Sequence, residues 1–194
     1  MISRLSFVVA MLFVGISNFV HAAEPAPIIR YNSIHHPVVG ESGMVATQHQ
    51  LASQVGAEIL AAGGNAVDAA VAVGFSLAVV LPRAGNLGGG GFMMIHLADQ
   101  NKTVALDYRE MAPAAAHRDL FLDADGNVDK TKARFSHAAA GVPGTVAGLL
   151  DAHKKYGKLS LKKVLSPAIR QADKGFFVTQ DLSNKLTNYK HLKK

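Results

Sequence analysis

Between residues 48 and 81 the apolar positions follow two different rhythms. Leu51, Val55 and Ile59 recur at every fourth residue, which predicts a helix from about Gln48 to Ala62 with one buried stripe. Thr47 stands where it can cap that helix, and Gly63-Gly64 supplies the stop. The next segment, Ala66 to about Leu81, has no polar face: Val67, Val71, Val73, Phe75, Leu77, Val79 and Val80 point all round it. Such a helix has to be buried. Asn65 can cap it, Pro82 ends it, and its one charge, Asp68, lies in the first turn, where the free N–H groups and the helix dipole favour a carboxylate.

After Pro82 the pattern shortens. Asn86-Leu87 and the four glycines 88–91 lead into the apolar run Phe92–Leu97, a polar turn at Asp99–Lys102 and a second run from Thr103 to Tyr108. This predicts a glycine loop feeding a hairpin. The first run is apolar on both faces apart from His96, so the sheet is expected to carry helices on at least one side. Beyond it come an Asp-rich turn at 123–129, a helix from Gly144 to Tyr156, another beginning near Ser160 that Pro167 should interrupt, and a last one after Thr179.

Residues 1–22 have a different character. Arg4 precedes a mostly apolar stretch from Leu5 to Val20, and Val20-His21-Ala22 offers small-residue cleavage before Ala23, the form of a secretory signal. The stretch is broken by Ser17 and Asn18 and falls short of a span, so no stable membrane anchor is expected. Residues 23–42 read as an irregular lead-in, and 43–194 as one continuous region without a repeat or a low-complexity linker. A periplasmic or secreted protein is the expectation. With no cysteine in the chain, packing or a partner chain has to stabilise it in an oxidising compartment.

Charge refines this picture only in part. The formal net charge is +6, and from Asp151 onward eleven basic residues face three acidic ones, whereas residues 23–150 carry eight against eleven. The lysines of the basic stretch occur singly or in pairs among apolar residues, as on solvated helix faces, so nucleic acid is not an expected partner.

Candidate chemistry thins out when each motif is tested for context. The glycine run is not followed by Gly-Lys-Ser/Thr and precedes a strand, so close approach of backbone to backbone, from a second sheet or a cleaved terminus, explains it better than a nucleotide. Asp123-Ala124-Asp125-Gly126-Asn127 resembles a calcium loop, but Arg134 stands where a bidentate Glu is needed. His35 and His36 lack further ligands at metal spacing. No Gly-x-Ser-x-Gly elbow occurs, and Ser166 precedes a proline. No metal or cofactor is expected. Arg109 is the most informative charge: it falls where a strand hands over to a loop, and a guanidinium can grip a carboxylate through two parallel hydrogen bonds. Taken alone it reads first as a surface or structural ion pair with Asp107 or Glu110.

Three stretches in order change that balance: Gly63-Gly64-Asn65-Ala66-Val67-Asp68-Ala69-Ala70, then Gly88-Gly89-Gly90-Gly91-Phe92, then Asp107-Tyr108-Arg109-Glu110-Met111-Ala112-Pro113-Ala114. Together with Gly141-Val142-Pro143-Gly144-Thr145-Val146-Ala147-Gly148, they resemble the N-terminal part of the large subunit of the gamma-glutamyltranspeptidases, over roughly residues 43–194. The resemblance implies the N-terminal portion of a four-layer αββα N-terminal-nucleophile hydrolase fold, incomplete in this chain. It also implies a precursor that cuts itself, so that a new N-terminal threonine attacks a gamma-glutamyl amide such as that of glutathione. The glutamyl group then passes to water, an amino acid or a peptide. Arg109 matches the arginine that holds the donor's alpha-carboxylate.

None of the six threonines after the signal stands in the Thr-Thr-His context of the family's nucleophile. The chain alone is therefore expected to be inactive, with the rest of the large subunit and the small subunit as its partners. The alternative is a shortened, non-catalytic periplasmic protein that binds amino acids or a partner chain.

Overall fold

The computed structural model describes residues 38–188, and the two helices expected near its start are both present. The signal at 1–22 and most of the lead-in lie outside the described residues; Val38 to Ser42 is irregular and exposed. Helix α1 covers Gln50–Ala61. Its cap is not Thr47 but His49, whose Nδ1 accepts from Leu51 N–H at 3.2 Å. Thr47 turns back on the chain instead: its hydroxyl donates to the His49 carbonyl at 2.8 Å and accepts from the His49 N–H at 3.1 Å, which delays helix entry by two residues.

Helix α2, Ala66–Val80, starts as predicted. Asn65 Oδ1 accepts from Asp68 N–H at 2.9 Å and Asp68 Oδ2 accepts from Asn65 N–H at 3.0 Å, so the two side chains satisfy each other's orphan donors. Asp68 does more than cap. Its carboxylate is fully buried and also accepts from the backbone of Lys158 at 3.0 Å and of Leu159 at 3.2 Å, while His153 Nε2 stands 3.5 Å away. One first-turn carboxylate thereby fastens α2 to a loop ninety residues later.

The hairpin follows, with β1 (Phe92–Leu97) antiparallel to β2 (Lys102–Asp107) and Phe92 opposite Asp107. Asn101, at φ 44°, takes the left-handed position of its turn. Then come α3 (Lys130–Phe135), α4 (Thr145–Tyr156), α5 (Leu161–Lys174) and α6 (Gln180–Asn188). The short α3 was not legible in the periodicity and is started by Asp129, whose Oδ1 accepts from two backbone N–H groups at 2.9 Å. The Asp-rich turn before it is closed by a bridge between Leu122 and Val128.

Pro167 does not interrupt α5. A proline inside a helix leaves the carbonyl four residues back without its donor. Here that carbonyl belongs to Lys163, and the Ser166 hydroxyl donates to it at 3.1 Å. The helix continues because the neighbouring side chain replaces the missing N–H.

Helix α2 lies at the centre. Val71 and Val164 are fully buried, and with Val55, Ile59, Ile95 and Leu149 they join α1, α2, α4, α5 and β1 in one core from Gly40 onward. Ser76, also fully buried, donates to Gln171 Oε1 at 2.7 Å and so ties α2 to α5. The all-round apolar pattern of α2 is not fully used: Val73, Phe75, Leu77 and Val79 are only half-buried. The hairpin behaves likewise. Ile95 is buried under the helices, whereas Phe92 and Met94 on the opposite face are 64% and 71% exposed. Among the described residues, then, the sheet is a two-stranded hairpin with helices on one side and, on the other, an open face that carries Phe92 and Met94 beside His96, Thr103 and Asp107. No described helix is long and apolar enough to cross a membrane.

Candidate functional site

The end of β2, the glycine loop and the start of α4 meet at one place. The ladder runs past the named strands, with Tyr108 N–H donating to the Gly91 carbonyl at 3.0 Å. Gly90 packs so closely on the backbone of Arg109 and Glu110 that a Cβ there would collide with the Glu110 amide. Gly89 presents its carbonyl to the first N–H groups of α4, accepting from Gly144 at 2.8 Å and Thr145 at 3.0 Å. Asn86 completes the brace: its Oδ1 accepts from Gly89 N–H at 2.8 Å and from the Thr145 hydroxyl at 2.7 Å. Backbone approaches backbone, as four glycines predict, and among the described residues the neighbours are the strand end and helix start of this same chain.

Tyr108 is the wedge in this arrangement. Its ring lies against Gly91 and over Gly148 on α4, and its hydroxyl points at the Phe92 carbonyl, 3.4 Å away. Burial raises its pKa above the ordinary tyrosine value, so the phenol stays neutral through the physiological range. Gly148→Ala would push a methyl group into the ring and is expected to destabilise the fold by about 1–3 kcal/mol, read as a lower thermal midpoint. Gly88→Ala meets no atom within 4 Å and serves as the control, with a change within about 0.5 kcal/mol.

This frame sets the backbone of Arg109 while leaving its side chain out in solvent, 64% exposed. Its N–H donates to Asp107 Oδ1 at 3.0 Å, so Asp107 fixes the main chain and is not an ion-pair partner. Glu110 is the partner: its Oε1 stands 3.7 Å from Arg109 Nε, too long for a hydrogen bond. An exposed pair of this kind contributes about 0–1 kcal/mol, which leaves the guanidinium's forked donors available to an incoming carboxylate. Met111 continues the frame by pairing with Val142, through N–H donations of 3.3 and 2.8 Å. Asn86 and Thr145 escaped the reading of the sequence. Their signals were an Asn ahead of the glycine run and a Thr at the helix start.

Other candidates do not assemble. The Ser166 hydroxyl is committed to the Lys163 carbonyl and Thr145's to Asn86, so neither is poised beside a base. Among the described residues no group of three His, Asp or Glu side chains can hold a metal ion. His35 and His36 lie outside the described residues.

A sequence model described as Gamma-glutamyltranspeptidase matches residues 52–194. A glutathione hydrolase proenzyme of Escherichia coli is 52% identical over 184 residues, covering 93% of this chain and 32% of that protein. The Bacillus subtilis glutathione hydrolase proenzyme is 41% identical over 186 residues, again with 32% of its length covered. Among solved structures, the Helicobacter pylori gamma-glutamyltranspeptidase superposes with a TM-score of 0.78 at 46% identity, covering 81% of this chain and 46% of that one. This chain thus spans about a third of the length of the curated relatives it matches.

Proposed function

This chain belongs to the gamma-glutamyltranspeptidase family and has the corresponding α/β N-terminal-nucleophile hydrolase fold in part, and from that premise we propose that it forms the donor-binding side of a glutathione hydrolase and gamma-glutamyltransferase. The observation that carries the proposal is Arg109, a solvent-facing guanidinium on a backbone fixed by the glycine loop and α4, with only a 3.7 Å contact to Glu110. In this reading the alpha-carboxylate of a gamma-glutamyl donor such as glutathione accepts two hydrogen bonds from Arg109. That grip places the gamma-amide for attack by a threonine supplied by the remaining sequence. The threonine oxygen bonds to the gamma-carbonyl carbon, the amine departs with the hydroxyl's proton, and water or an amine then takes the glutamyl group from the ester. Residues 43–194 are the large-subunit portion and residues 1–22 an export signal, so that the mature chain begins near Ala23 in the periplasm or outside the cell.

On this proposal the reaction needs the partner sequence. Exported and purified, the 194-residue chain is expected to show no turnover of a gamma-glutamyl anilide and an intact mass that lacks residues 1–22. Co-expression with the missing large-subunit sequence and the small subunit should restore turnover. It should also raise the unfolding midpoint, because the open face of Phe92 and Met94 and the half-covered α2 gain a cover. Turnover by the chain alone, lost on mutating one of its own residues, would overturn the reading.

A further inference from the structure

A cavity of about 590 Å³ lies away from the arginine frame, where the N-terminus of α1 meets the irregular stretch between α5 and α6. Leu51, Leu81 and Phe176 make its walls mostly apolar, and the polar lining includes His49, Gln171 and the Arg83–Asp181 pair. His49 is the most telling of them. Its Nδ1 accepts from Leu51 N–H, so the neutral imidazole carries its proton on Nε2, and Nε2 is buried without a hydrogen-bond partner among the described residues. His49 as a whole is 8% exposed. Gln171 has given its oxygen to Ser76, which leaves its amide NH₂ as a second donor. Arg83 contributes Nε to Asp181 at 3.0 Å; their charges offset each other, and the terminal guanidinium nitrogens have no partner among the described residues.

A buried donor without an acceptor is costly and is retained where something else completes it. Here the surplus donors stand at the positive end of the twelve-residue α1, among apolar walls. We propose that this cavity binds a small apolar carboxylate, with one carboxylate oxygen accepting from His49 Nε2–H and the hydrocarbon part resting on Leu51, Leu81 and Phe176. The volume lies in the range of small-molecule sites. Access to Nε2 requires the ring of Phe176, edge-on with its centroid 6.2 Å from that of His49, to move. Phe176 follows Gly175, whose φ of 75° only glycine adopts freely, where α5 ends.

The test titrates the full chain with 3-phenylpropanoate and, separately, with its neutral amide, following the imidazole nitrogens of His49 by NMR. Saturable binding with a shift of Nε2 is expected, with the acid binding about tenfold tighter than the amide. His49→Asn keeps a good helix cap and withdraws the imidazole Nε2–H, its shorter amide not reaching the same point, so it should weaken the acid about tenfold while the unfolding midpoint holds. No saturation by about 10 mM acid, equal affinity for acid and amide, or unchanged affinity in His49→Asn overturns the proposal. If His49→Asn does not fold, the native chain still decides: saturation without a shift of Nε2 overturns it.

Discussion

Asp68→Ala is expected to cost about 3–5 kcal/mol, a large share of the roughly 5–15 kcal/mol that holds a domain of this size together. The carboxylate is fully buried and accepts from three backbone N–H groups, those of Asn65, Lys158 and Leu159. Alanine leaves all three without an acceptor in a site too enclosed for easy hydration, and each such donor costs about 1–3 kcal/mol. Asp68→Asn separates shape from chemistry. Asparagine keeps one accepting oxygen but turns an NH₂ towards groups that are themselves donors, so an intermediate loss of about 2 kcal/mol is expected. Urea unfolding of the two variants beside the native chain measures both, and an alanine variant within about 1 kcal/mol of native would remove the network from the account.

The same residue marks where the sequence stops being legible. A carboxylate three positions after Asn65 announces a helix start, because capping is local and its spacing is fixed by one helical turn. The bonds from Asp68 to Lys158 and Leu159 have no such signature; a separation of ninety residues is set by how α2, α4 and α5 pack. Pro167 shows the converse. Its ring predicts a break, and the one-residue neighbour that repairs it, Ser166, is visible in the sequence only once the orphaned carbonyl is identified as that of Lys163. Thr47 and His49 compete for the start of α1, and the winner is decided by which side chain reaches a first-turn N–H, a geometric matter that residue preference does not resolve. In β1 the apolar run was plain, but only Ile95 is buried, because which face of a hairpin is covered depends on layers that the strand itself does not encode.

Arg109 was legible as a strand-end guanidinium, while its freedom was not, since the sequence sets a carboxylate on each side of it, Asp107 and Glu110. The structure separates them: Asp107 takes the backbone N–H and Glu110 makes only a loose contact. In an enzyme assembled from this chain and its partner sequence, Arg109→Ala should weaken donor binding by one to two powers of ten, the equivalent of about 1.5–3 kcal/mol for a charge-assisted pair. Arg109→Lys should fall between that and native, because an ammonium keeps the charge but cannot present two parallel donors. Turnover should drop as well, since a donor held at one point carries its amide away from the attacking oxygen. A merely structural arginine would behave otherwise. Its loss would lower the thermal midpoint and leave the donor constant of the folded enzyme unchanged. The exposed contact with Glu110 contributes about 0–1 kcal/mol, so the expected midpoint change is small and the expected kinetic change large. Donor kinetics and thermal midpoint taken on the same two variants decide the question, and a destabilised variant with native donor affinity would strike Arg109 from the site.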